Sequence, residues 1–162
     1  MSLGVRINIP DDSAVLSALS QLALSGSDKT ALLDEIGINL VENARLRFID
    51  QTDPDGNPWK QSARAAAQGG ETLRDTGRLM NSITHSVGSD FVEYGTNAAY
   101  AMPLHFGAEI RAVNAPYLKF KIAGRWANVK EVTLPARPFI GLSTEDEQLV
   151  VDIIETFLSS ER

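Results

Sequence analysis

Cysteine is absent from the 162 residues, which excludes disulfides and thiolate metal sites and fits a reducing compartment. Histidine is scarce, with His85 and His105 as the only two, and their separation matches no His-x-x-x-His ligand pattern. No run approaches the roughly 18 apolar residues that span a bilayer. The N-terminal stretch, from Met1 through Pro10, lacks the charged-then-apolar layout of a signal peptide. Together these features predict a protein made and used in a cytoplasm, with no membrane partner. A surplus of positive charge is missing as well. The net charge of −6 argues against a dedicated nucleic-acid binder, because neutralising phosphates needs clustered Lys and Arg.

Catalytic signatures are missing too. There is no Walker motif, no Gly-x-Gly-x-x-Gly after a strand, and no Gly-x-Ser-x-Gly elbow to expose a nucleophile. A Ser–His–acid site can be drawn on paper from Ser82 or Ser143, His105 and a carboxylate, but the sequence favours packing roles for both histidines. Asp53-Pro-Asp-Gly-Asn57 resembles a calcium loop only at its start. A twelve-residue loop opening at Asp53 needs Gly at the sixth position and Glu at the twelfth, and Pro58 and Arg64 stand there. A tight Pro-Gly turn is the better reading, and the sequence predicts no catalysis.

What remains is the composition of an ordinary globular protein, with 43% hydrophobic and 22% charged residues. The length predicts one domain over residues 1–162, with an N-terminal extension (1–27) and a flexible loop (51–71). Charge is unevenly placed. From His105 to Arg137 six basic residues face two acids, and from Ser143 onward six acids face one Arg. A basic middle and an acidic tail can complement each other within one subunit or between copies, or both can be solvated faces.

Val5, Ile7 and Ile9 alternate with polar residues, which predicts a short strand, and Ser13 to Leu24 reads as a short helix. The strongest helix runs from about Asp28 to Ile49, capped by Ser27 or Asp28. Its stripe is Leu32 or Leu33, Ile36, Leu40, Ala44 and Phe48, widened by Ile38, Val41 and Leu46. At ~1.5 Å per residue it would be roughly 33 Å long. Pro54, Gly56 and Pro58 form turns, and residues 60–70 are small and polar. A turn and short helix follow over 72–83. Strands are expected over 82–88, 91–95, 117–122 and 126–134, with a helical turn over 98–106. Ser143-Thr-Glu-Asp146 resembles a capping box opening an amphipathic C-terminal helix. The fold class is α+β, an antiparallel sheet packed against the long helix and the C-terminal helix.

Five motifs then stand in order. Phe48-Ile-Asp-Gln-Thr-Asp-Pro-Asp-Gly-Asn-Pro-Trp59 follows the long helix, and Leu73-Arg-Asp-Thr-Gly-Arg-Leu-Met-Asn-Ser-Ile83 comes next. Val92-Glu-Tyr-Gly-Thr-Asn-Ala-Ala-Tyr-Ala101, His105-Phe-Gly107 and Pro135-Ala-Arg-Pro-Phe-Ile-Gly-Leu-Ser143 complete the set. Over about residues 31–158 the chain resembles the phage virion morphogenesis family of Mu-type phages and prophages, which includes tail-completion proteins. The resemblance implies a structural role late in particle assembly, completing the tail or joining it to the filled head, with no catalytic residues and no cofactor. It implies further copies of the chain as partners, in a ring with six copies in keeping with tail symmetry. It also implies contact with tail-tube, tail-terminator or head–tail connector proteins, DNA nearby in the channel, and a place in the virion after assembly in the host cytoplasm.

The candidate interaction residues are Trp59, Arg74, Arg78, Tyr100, His105, Arg137 and Phe139. Trp59 either plugs the end of the long helix or anchors a neighbouring subunit, and the plug is favoured. Arg74 and Arg78 point outward, pairing within the subunit or with a neighbour, while Asp75 or Thr76 caps the short helix. Phe139 and Ile140 tuck into the core while Arg137 stays accessible. Residues 60–70 resemble an arm that orders on binding a partner. Two rival readings are a nucleic-acid-contacting module built on the basic middle and a small hydrolase using His105.

Overall fold

A computed structural model describes residues 3–8, 26–122 and 124–160. The helix expected over 13–24 lies outside them. The fold is α+β, as its sequence patterning predicts. Its spine is α1 (Gly26–Asp50), 25 residues long. Leu32, Leu33, Ile36, Leu40, Ala44 and Phe48 are all buried along one stripe, with Val41 beside them. Ile38 and Leu46 do not widen the stripe as expected. Both are exposed, because the sheet covers too narrow an arc of the helix to reach them. The helix begins at Gly26, so Ser27 and Asp28 lie within its first turn and do not precede it as caps; Asp28 there suits the helix dipole.

Strands β1 (Leu3–Asn8), β2 (Thr84–Val87) and β3 (Phe91–Thr96) form an antiparallel sheet in the order β1-β3-β2. Leu3 pairs with Thr96, and His85 with Tyr94. Alternation along β3 buries Val92, Tyr94 and Thr96 against α1 and leaves Phe91, Glu93 and Gly95 on the outer face. There Arg6 reaches Glu93 at 2.8 Å.

Segment 51–71 holds a helix that the sequence reading passed over. After the turn, α2 (Ala63–Gln68) is capped by Ser62, whose Oγ accepts from Ala65 N–H at 3.1 Å. Ala65 is fully buried, so small residues that look like linker are the contact face of a helix. Helix α3 (Arg78–Asn81) begins at Gly77, whose φ of 77° places it at the N-cap. Neither Asp75 nor Thr76 takes that position, although Thr76 Oγ1 accepts from Arg78 N–H at 3.4 Å.

Helix α4 (Ala101–Phe106) carries Pro103 in its first turn, where a missing N–H costs nothing. It ends at Gly107, where φ is 79° and an added Cβ would stand 2.8 Å from Leu134 O. The strand expected over 126–134 breaks at Lys130 into β6 (Arg125–Val129) and β7 (Glu131–Leu134). β6 pairs with β5 (Leu118–Ile122), and β7 pairs with β4 (Ala108–Arg111), which alternation did not reveal. The two antiparallel pairs form one nested arm over residues 108–134, separate from the three-stranded sheet. Beyond itself, the tip of this arm packs chiefly on α2. The chain closes with α5 (Thr144–Ser160), lying along α1.

Gly37 sets how closely α1 approaches the sheet. A Cβ there would stand 2.4 Å from His85 Cδ2 and 3.0 Å from Val92 Cγ2. Asp34 Oδ1, one turn earlier, meets His85 Nε2 at 2.7 Å and fixes the ring over that gap. In a free helix Ala is favoured over Gly by about 1 kcal/mol. Here Gly37→Ala should reverse that sign and destabilise the protein by about 1–3 kcal/mol through overpacking. Urea denaturation checks this; a raised midpoint would show the helix–sheet gap to be slack.

Candidate functional site

Four of the five motifs singled out along the chain converge on one seam, where the end of α1, Trp59, Tyr94, α4 and the extended segment Pro135–Ser143 meet, while Leu73–Ile83 lies outside it. Leu134 and Arg137 each precede a proline, which biases their backbone away from helix, yet residues 135–143 join no sheet. Side chains from elsewhere take up most of the paired backbone groups of this segment. Trp59 Nε1 donates to Pro138 O at 2.8 Å. Phe139 N–H donates to His105 Nδ1 at 3.3 Å. Arg47 Nη1 donates to Phe139 O at 3.2 Å and to Gly141 O at 2.9 Å. Tyr94 Oη donates to Gly141 O at 2.7 Å and accepts from Gly141 N–H at 3.2 Å.

Arg47 also grips Asp146, which is only 1% exposed. Asp146 closes the expected capping box. Its Oδ2 accepts from Ser143 N–H at 2.8 Å, while Ser143 Oγ accepts from Asp146 N–H at 3.0 Å. Asn43 Nδ2 adds a bond to Asp146 Oδ1 at 2.7 Å. One carboxylate therefore caps α5 and neutralises the buried guanidinium of α1.

Around this seam the rings interlock. Phe48 meets Trp59 edge-on with centroids 5.5 Å apart, and Phe139 at 5.3 Å. His105 stands edge-on to Phe139 at 5.1 Å. Trp59 is thus the intramolecular plug, buried in its own subunit. Phe139 and Ile140 are in the core as expected. Arg137 is not accessible: it is 5% exposed. Its Nε donates to Lys60 O at 2.8 Å, and its N–H reaches Leu104 O and His105 O at 3.1 Å each. Proline on both sides of Ala136-Arg137 aims this side chain inward, toward a carbonyl that needs a donor. His105 is 7% exposed, and burial lowers its pKa from the ordinary 6.5. Accepting from Phe139 N–H requires a bare Nδ1, so the ring is held neutral. Among the described residues no serine hydroxyl or carboxylate bonds it.

The other candidates lie outside the seam. Arg74 pairs with Glu71 at 2.7 Å inside the subunit. Arg78 and Tyr100 are exposed and share a groove of about 310 Å³ with Arg64, Asp75 and Leu104. Asp53 is no calcium ligand in this geometry. Its Oδ1 accepts from Asp55 N–H at 2.9 Å and from Asn57 N–H at 2.8 Å, closing the Pro-Gly turn. No cluster of metal-ligating side chains occurs among the described residues. A cleft of about 380 Å³ beside this turn is rimmed by Asp50, Asp53, Asp55 and Glu145.

The sequence pattern of the phage virion morphogenesis family matches residues 10–159. The chain belongs to that family. It is 28% identical over 154 residues to "Mu-like prophage FluMu G protein 2" of Haemophilus influenzae, covering 94% of this chain and 95% of that protein. No solved structure matches it. The matched span includes every residue of the seam. The match therefore takes in α1, strands β2 and β3, the arm and nearly all of α5, and leaves β1 outside.

Arg47 and Tyr94 are the seam residues that sequence reasoning passed over, and Asp146 was legible only as a cap. Arg47 carried a signal, since it is a charged residue beside Phe48 at the end of an apolar stripe. Removing either partner of a buried pair costs about 3–5 kcal/mol. Asp146→Asn and Arg47→Met should both fall in that range, with Arg47→Met the larger because it also strips two carbonyls of their donor. Guanidinium denaturation of each variant measures the order.

His105 predicts a pH dependence. Its folded pKa lies below its unfolded value, so its contribution to stability is complete above about pH 6.5 and is lost as pH falls from there through the folded pKa. His105→Asn keeps an acceptor for Phe139 N–H and removes the titration. The wild-type-minus-variant stability difference should shrink as pH falls from about 7.5 to about 5, and a flat difference would contradict the buried neutral ring.

Proposed function

We propose that this protein is a structural part of a tailed-phage particle that completes the tail or joins it to the filled head, acting by assembly into a ring and not by catalysis. The observation that carries this reading is the family match over residues 10–159. The Mu-like prophage relative, of nearly equal length, supports it. On this reading the protein is assembled in the host cytoplasm and resides at the tail or neck of the virion. Its partners are further copies of itself, six in a ring being the number that suits tail symmetry, and tail-tube, tail-terminator or connector proteins.

The physical argument runs through the arm. Among its described residues none is buried, so ordering it returns little core burial to the subunit itself. An element of that kind gains its area from a neighbour, and repeated head-to-tail contact closes a ring when the rotation fits. The chemistry of the seam supports the same conclusion from the other side, since its histidine, arginines and carboxylate are all committed to backbone groups and to one another. Among the described residues no helix is long and apolar enough to cross a membrane.

A phage or inducible prophage with this gene disrupted should accumulate filled heads and separate tails, with infectious titre restored by the gene in trans. Electron microscopy and plaque counts read the outcome. Normal, infectious particles formed in its absence would end the proposal.

A further inference from the structure

We propose that the arm of one copy docks, through the exposed face of its β5–β6 tip, on the acidic outer face of α5 of a second copy. The inference rests on the self-assembly reading and names the surfaces that reading needs.

Register divides the tip into two faces. Leu118 pairs with Val129 and Phe120 with Ala127, and all four side chains are half-buried, forming the face turned toward the subunit. Lys121 pairs with Trp126 and Lys119 with Asn128, and these four are exposed. Trp126 is 66% exposed, with Lys121 Nζ lying 5.0 Å from its ring centroid. A large ring on the open face of a two-stranded ribbon is the kind of anchor that protein interfaces bury.

Charge selects the occupant. Residues 111–130 hold five basic side chains and no acid, while α5 holds five acids and no base. Of the five basic residues only Arg111 finds carboxylates in its own subunit, at Glu109 and Glu131. Lys119, Lys121, Arg125 and Lys130 form no ion pair among the described residues. On α5 only Asp146 is paired with a cation, leaving Glu145, Glu147, Asp152 and Glu155 exposed without one among the described residues. No hydrogen bond or ion pair among the described residues joins the arm to α5 of the same copy. The complementary surfaces therefore meet between copies. Lys119 and Lys121 lie about 7 Å apart along one strand face. Asp152 and Glu155 are neighbours three residues apart on the helix, and the adjoining Val151 is 42% exposed, giving Trp126 an apolar floor. Because the two faces differ, the contact is head-to-tail and propagates.

The test is a charge swap on the full chain, read by sedimentation equilibrium. Lys119→Glu with Lys121→Glu, and separately Asp152→Lys with Glu155→Lys, should each weaken self-association by about tenfold or more. Trp126→Ala should weaken it too, and an equimolar mixture of the two charge-reversed proteins should regain wild-type association. All five side chains are exposed, so circular dichroism and melting should match wild type. Association unchanged in both reversed proteins would overturn the inference while leaving the assembly role standing. So would a mixture that fails to recover, since it breaks the pairing of these two faces. A wild type that is monomeric at every concentration would overturn it as well, with the disruption experiment then judging the assembly role separately. Duplex DNA bound through Lys119 and Lys121, without self-association, would overturn it in favour of a nucleic-acid partner.

Discussion

The Arg47 guanidinium is the interaction on which the rest of the structure depends. It sits near the end of α1, 7% exposed, and bonds Phe139 O, Gly141 O and the Asp146 carboxylate. An extended segment inside a protein normally satisfies its backbone in a sheet, and each buried polar group left unpaired costs about 1–3 kcal/mol. Here the long helix, the central strand of the sheet, the turn behind α1 and helix α4 each lend one side chain to the task. Arg47, Tyr94, Trp59 and His105 act as a substitute strand. A buried ion pair is weak evidence for net stability, and what the geometry shows is that this one ties α5 and the 135–143 segment to α1.

Much of this was legible in the chain. The four-residue recurrence from Leu32 to Phe48 located the spine, the Ser143–Asp146 spacing located the start of α5, and the α+β class followed from the two rods and the alternating segments. What could not be read was pairing. β4, Ala108–Arg111, lies in a ribbon with no buried face, so alternation had nothing to report. α2 is built from strong helix formers between a serine cap and a glycine, so its helicity lay within reach of propensity, but with no apolar stripe nothing marked Ala65 as its buried face. At the seam, Trp59 and Phe139 were readable because large apolar groups announce burial. Arg137 misled, because an arginine's usual place is the surface. Its burial depends on a carbonyl, Lys60 O, 77 residues away in sequence.

This arrangement divides the subunit into two parts. The seam consumes its polar chemistry internally and makes a stiff body. The arm keeps four of its basic side chains, and α5 four of its acids, free of ion pairs among the described residues. The charge left unpaired is therefore of one sign on each of these two surfaces.

The bonds that close the seam join Arg47 to residues 92, 94 and 99 positions further along the chain. During translation the spine, though complete early, lacks the carbonyls and carboxylate that its arginine needs until residues 139–146 have emerged. Long-range closure of this kind is slow and leaves apolar surface bare in the meantime. A nascent chain that stops short of Asp146 thus has no settled body, and its longest helix waits on residues far beyond it for its final packing.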